Sequence, residues 1–109
     1  MLPVLTCYPQ ISLAEPTKDA EFTVTDFLQW NRDAHRNYFR VSIGMATIIA
    51  RRNDKAQGAC ISDWYFVGEE TAIDQIIDTM QAYPSYHPDA IILAFVEKRC
   101  GSMVYTGED

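Results

Sequence analysis

From Thr25 onward, apolar residues recur every three or four positions, at Phe27, Trp30, Ala34 and Tyr38. That is the period of an amphipathic helix, and with Thr25 or Asp26 as N-cap it predicts a helix over 26–38. Beyond Arg40 the spacing reads as alternation, with Val41, Ile43, Met45 and Ile49 on one face and Ser42, Gly44, Ala46, Ile48 and Ala50 on the other. A polar stretch at 53–58 interrupts it. Residues 59–67 then alternate again, with Cys60, Trp64 and Phe66 opposite Ile61, Tyr65 and Val67, so the two runs together predict a β-hairpin. The Ala, Met and Ile residues within 43–52 also fit helical spacing, which leaves a helix open there.

A second amphipathic helix is predicted at 69–82, with Gly68 or Thr71 as N-cap and a stripe of Ala72, Ile73, Ile76, Ile77 and Met80. Two prolines, Pro84 and Pro88, stiffen the aromatic loop that follows. The uninterrupted apolar run from Ala90 to Val96 suits a central strand covered on both faces. A helix is the alternative, capped by His87, with Pro88 at its first position and Gly101 beyond its end. At the other end of the chain, Leu2 to Tyr8 reads as an edge strand because Pro3 cannot donate a ladder hydrogen bond. A further short run, 102–106, is available to close a hairpin at the C-terminus. The order β, α, β, β, α, β predicts an α+β, ferredoxin-like sandwich, an antiparallel sheet with two helices on one face, forming a single compact domain over 1–109.

Charge adds a division that the apolar pattern lacks. Residues 60–97 hold seven acids and no Lys or Arg, whereas 32–55 hold six bases against Asp33 and Asp54. A net charge of −6 argues against direct nucleic-acid binding, which needs a cationic surface. With 48% hydrophobic residues the chain can bury one core without a metal or cofactor. Cys7, Cys60 and Cys100 are odd in number and form no C-x-x-C pair, so neither a disulfide framework nor a zinc site is expected, and a reducing, cytoplasmic setting is. The opening residues lack the features of a signal peptide, and no apolar run reaches the roughly 18 residues of a membrane span.

Candidate chemistry is sparse. His35 and His87 stand too far apart for paired metal ligation, and Cys60 near Asp63 is the nearest approach to a nucleophile with an acid. These patterns point away from catalysis and toward binding. Glu70, Asp74 and Asp78, four residues apart on the second helix, form a repulsive acidic ridge, assisted by Glu69. The expectation is a small acidic protein–protein interaction module, an inhibitor or regulator docking on the basic surface of a nucleic-acid-processing complex. Its predicted contact residues are Glu69, Glu70, Asp74 and Asp78, with Tyr83, Tyr86 and His87 from the stiff loop. Two alternatives stay open: the acids pair with the row Arg32, Arg36, Arg40, or the chain is a small-molecule-binding or catalytic α+β homodimer.

Overall fold

The computed structural model describes residues 21–103, and all regular structure within them is helical. With 77% of those residues in helices and no strand among them, the fold is all-α, and the expected α+β, ferredoxin-like sandwich is overturned. The predicted strand at 2–8 lies outside the described residues.

Helix α1 (Val24–Phe27) is a single turn held by a capping box. The Thr23 side chain accepts from the Asp26 amide, and the Asp26 carboxylate accepts from the Thr23 amide at 3.1 Å. Its first amides are completed by the distant loop, Val24 N–H donating to the Tyr86 carbonyl at 2.8 Å and Thr25 N–H to that of Pro84 at 3.1 Å. Helix α2 (Arg32–Asn53) begins at Asn31, whose side chain caps the Ala34 amide at 2.9 Å, and continues unbroken through the region read as a strand. The reason lies in the burial pattern. His35, Phe39, Ile43, Thr47 and Ala50 are buried at three- and four-residue intervals, a period of 3.6 that the alternation of Val41, Ile43 and Met45 concealed.

Asp54 then reverses the chain. Its extended backbone ends α2, and its carboxylate caps Ala56 and Gln57 of helix α3 (Lys55–Ser62). The reversal brings α3 back onto α2 so closely that a Cβ at Gly58 would lie 2.9 Å from Arg51 Cγ and 3.1 Å from its Cα, so a side chain there would force Arg51 to shift. The same helix continues as a π-helical turn, Asp63–Val67, which buries Tyr65 and leaves Phe66 and Val67 exposed. The second predicted hairpin strand is therefore α3 with this turn.

Helix α4 (Glu69–Met80) matches the predicted second helix and buries Ala72, Ile73, Ile76 and Met80. Helix α5 (Pro88–Cys100) replaces the predicted central strand. His87 Nδ1 accepts from the Asp89 amide at 3.0 Å, Pro88 occupies the first turn, and Gly101 ends the helix with φ 94°. Val24, Phe27, Phe39, Ile43, Tyr65, Ile73, Ile76 and Val96 join in one buried cluster. The cysteine expectation is corrected as well: Cys60 of α3 and Cys100 of α5 are disulfide-bonded, their Cα atoms 5.8 Å apart. Among the described residues, no helix is long and apolar enough to cross a membrane.

Candidate functional site

Helix α4 presents its acids in two different settings. Toward α2, the i, i+4, i+8 row Arg32, Arg36 and Arg40 meets the α4 carboxylates in a ladder. Arg32 donates to Asp74 Oδ1 at 2.8 Å and to Glu70 Oε1 at 2.8 Å, and Arg36 donates to Glu70 Oε2 at 2.9 Å and to Asp33 at 2.7 Å. Arg40 grips Glu69 with two parallel hydrogen bonds of 2.7 Å, the fork geometry that matches a carboxylate. Hydrogen bonds from Arg40 hold Glu69 below its ordinary range, and those from Arg32 and Arg36 do the same for Glu70. Just beneath the ladder, burial pushes the Tyr65 hydroxyl up; Glu69 acts on it electrostatically, but the hydroxyl completes no hydrogen bond.

Asp78 lies one turn beyond this ladder and has no ion pair among the described residues. It opens instead onto a groove of about 640 Å³ between α4 and α5. Gln75, Asp78 and Thr79 form one wall, Lys98 and Arg99 the other, with Ile91, Ala94 and Phe95 between them and Tyr83 at the loop end. The α5 wall is braced from behind. Phe95 stacks on Trp64 with ring centroids 5.9 Å apart, and the Arg99 guanidinium sits 5.8 Å from the centre of the Trp64 ring. The end of α5 is tied by the Cys60–Cys100 bond and by the Gln57 amide, which donates to the carbonyls of Gly101 and Ser102 at 2.9 Å each.

The structure thus brings two of the expected contact residues, Asp78 and Tyr83, into one groove, and sets Glu69, Glu70 and Asp74 in the ladder. Tyr86 is half-buried against the core, and its carbonyl serves α1. His87 caps α5 and meets the Phe22 ring edge-on at 5.5 Å. The other histidine is also structural: His35 is buried, stacks on the Phe27 ring at 4.4 Å, and bonds the Phe27 carbonyl through Nε2 at 2.7 Å. Among the described residues, no group of His, Cys, Asp or Glu is placed to hold a metal ion.

Sequence reasoning missed Ile91, Ala94, Phe95 and Lys98 as a lining. Their three- and four-residue spacing was the available signal, and it pointed to a shared face once the run is a helix. No protein-family model, curated protein or solved structure matches this chain. The functional reading accordingly rests on geometry and chemistry.

Proposed function

We propose that this chain is a non-catalytic docking module that receives a segment of a partner protein in the α4–α5 groove. The observation that carries the reading is an apolar floor with an unpaired carboxylate, Asp78, on one wall and two cations, Lys98 and Arg99, on the other. Such a groove suits an apolar anchor flanked by a lysine or arginine facing Asp78 and an acid facing Lys98. The anchor supplies most of the affinity, and the charges select partner and register. A partner with a basic surface, of the kind found on nucleic-acid-processing proteins, fits the net charge of −6 and the open carboxylate of Asp78. An inhibitory or regulatory role follows if the captured segment is one that partner uses.

The cytoplasmic expectation rested on unpaired cysteines. A Cys60–Cys100 bond favours an oxidising compartment instead, which electrophoresis of protein from its native source, with and without reductant, would test.

The experiment is capture from a nuclease-treated lysate of the native host with the full chain, comparing wild type with Asp78→Lys and Phe95→Ala variants of unchanged circular dichroism. Loss of the same captured protein in both variants supports the groove; full retention in both overturns it. A groove of about 640 Å³ is also within the range of small-ligand sites, roughly 300–1,000 Å³. A ligand that raises the melting temperature of wild type but not of Phe95→Ala would favour that second reading.

A further inference from the structure

The side of α2 turned away from the core carries a second surface, separate from the groove. Val41, Met45 and Ile48 are 69%, 58% and 57% exposed, and Ile49 is 37% exposed. They recur at three and four residues and so form one continuous apolar stripe along the middle of a 22-residue helix, with Tyr38, half-buried against Phe27 and Trp30, at its N-terminal edge. An apolar strip of this extent is unusual on a chain that works alone in water.

The charges at its two ends indicate what covers it. Tyr38 and Arg52 stand about two helical turns from Met45, on opposite sides of it along the helix axis. At the Tyr38 end lies a carboxylate, since the Tyr38 hydroxyl donates to Asp89 Oδ1 at 2.7 Å and the Asp89 side chain remains 60% exposed. At the other end stands the exposed cation Arg52, which has no ion pair among the described residues. A two-fold axis through Met45 pairs each position with one equally far on the other side of Met45 in the second copy. Val41 then meets Ile49, Met45 meets itself, Ile48 lies over Ser42, and Arg52 reaches the Tyr38–Asp89 pair of the other copy. Apolar meets apolar in the middle and opposite charges meet at both ends, the self-complementarity an isologous interface needs.

We infer that α2 is a homodimer face, two copies packing antiparallel about Met45 through the stripe of Val41, Met45, Ile48 and Ile49, with Arg52 of each copy against Tyr38 and Asp89 of the other. This inference uses a different surface from the groove and stands whether or not the groove docks a partner. The dimer is expected to be a reversible one, with a dissociation constant on the order of 10 μM.

The test is sedimentation velocity of the full chain from about 1 to about 200 μM, a range in which a micromolar dimer passes from mostly dissociated to mostly associated. Wild type is expected to shift from monomer to dimer over this range. Met45→Glu, with unchanged circular dichroism, is expected to weaken association at least roughly tenfold, since it buries two carboxylates against each other. Arg52→Glu is expected to weaken it less, with the loss of wild-type association in high salt following the same trend. Register is read by mild oxidation in a Cys7→Ser background, in which Met45→Cys cross-links to itself and Val41→Cys alone does not. A monomeric wild type throughout overturns the inference, including the case in which the stripe binds a different protein. So does a dimer indifferent to Met45→Glu, or cross-linking that is equal at positions 41 and 45. If Met45→Glu fails to fold, the two cysteine variants decide the matter.

Discussion

Along α4, Glu69, Glu70 and Asp74 each accept from an arginine of α2, whereas Asp78, on the same acidic ridge, borders a groove and forms no ion pair among the described residues. The four acids look alike in sequence and differ in what lies opposite. Where α2 runs alongside, its arginines convert a repulsive ridge into a seam between helices. Past that overlap α5 provides the neighbouring wall, with Ile91, Ala94 and Phe95 along it and Lys98 and Arg99 toward its end, and the Asp78 carboxylate makes no ion pair among the described residues. The difference teaches that like-charged residues on one ridge differ by what the fold sets within reach: three are neutralised by arginines of α2, and the fourth is not.

Removing the packing on which both regions depend should have the largest effect. Ile73 lies wholly buried on the inner face of α4, so Ile73→Ala should lower stability by about 2–5 kcal/mol, measured by urea unfolding, and loosen seam and groove together. A smaller and more selective effect comes from the disulfide. Cys60 and Cys100 are 40 residues apart, and opening a loop of that size should cost about 2–4 kcal/mol. Reductant should therefore lower the urea midpoint of wild type and leave that of Cys60→Ser/Cys100→Ser unmoved. Because Cys100 ends the α5 wall, the same change should weaken partner capture by the groove while leaving the ladder's pH dependence in place.

What could be read from the sequence follows the same division. Helix α4 was legible because its apolar stripe and its acids separate cleanly at a 3.6-residue period. Its arginine partners were legible as one of two outcomes, since Arg32, Arg36 and Arg40 share that period. Helix α2 was legible only in its first turns, within the helix expected over 26–38, and its remainder and α5 were read as strands with a helix as the alternative, because their apolar residues are not confined to one face. In α2 the exposed Val41, Met45 and Ile49 fall at odd positions with the buried Phe39 and Ile43, and together they imitate a strand's alternation. In α5 the run from Ala90 to Val96 hides its face altogether, and the end signals His87, Pro88 and Gly101 were the better guide. The groove was hidden with it, since Phe95 and Lys98 share a face only on a helix. The disulfide was hidden for a different reason: nothing in the spacing of three cysteines says that the ends of α3 and α5 meet.

The ladder itself should respond to pH in one direction. Glu69 and Glu70 have folded values held below the ordinary 4.5, by Arg40 in one case and by Arg32 and Arg36 in the other. Their contribution is therefore complete above about pH 4.5, the value they regain on unfolding, and is lost as the pH falls through the folded values. The melting temperature should hold level from pH 7 to 5 and decline below 4.5, and Glu69→Gln/Glu70→Gln should flatten that decline. The effect is modest because most of these side chains are exposed and water screens them.

The smallest expected change in stability is at Asp78, and it gives the sharpest test of the comparison. Charge reversal across the ridge would confuse the two regions: Glu70→Lys and Asp74→Lys set a new cation against Arg32, so any lost binding could arise from a displaced α2. Asp78→Lys touches no arginine of the ladder and removes no hydrogen bond that the described residues make. Its melting temperature should match wild type at pH 7 and at pH 4, within the small range expected of an exposed substitution. Partner capture should nevertheless fall. If Asp78→Lys instead shifts the melting curve while Glu70→Gln does not, the division of α4 into a sealed half and an open half is wrong, and Asp78 belongs to the scaffold.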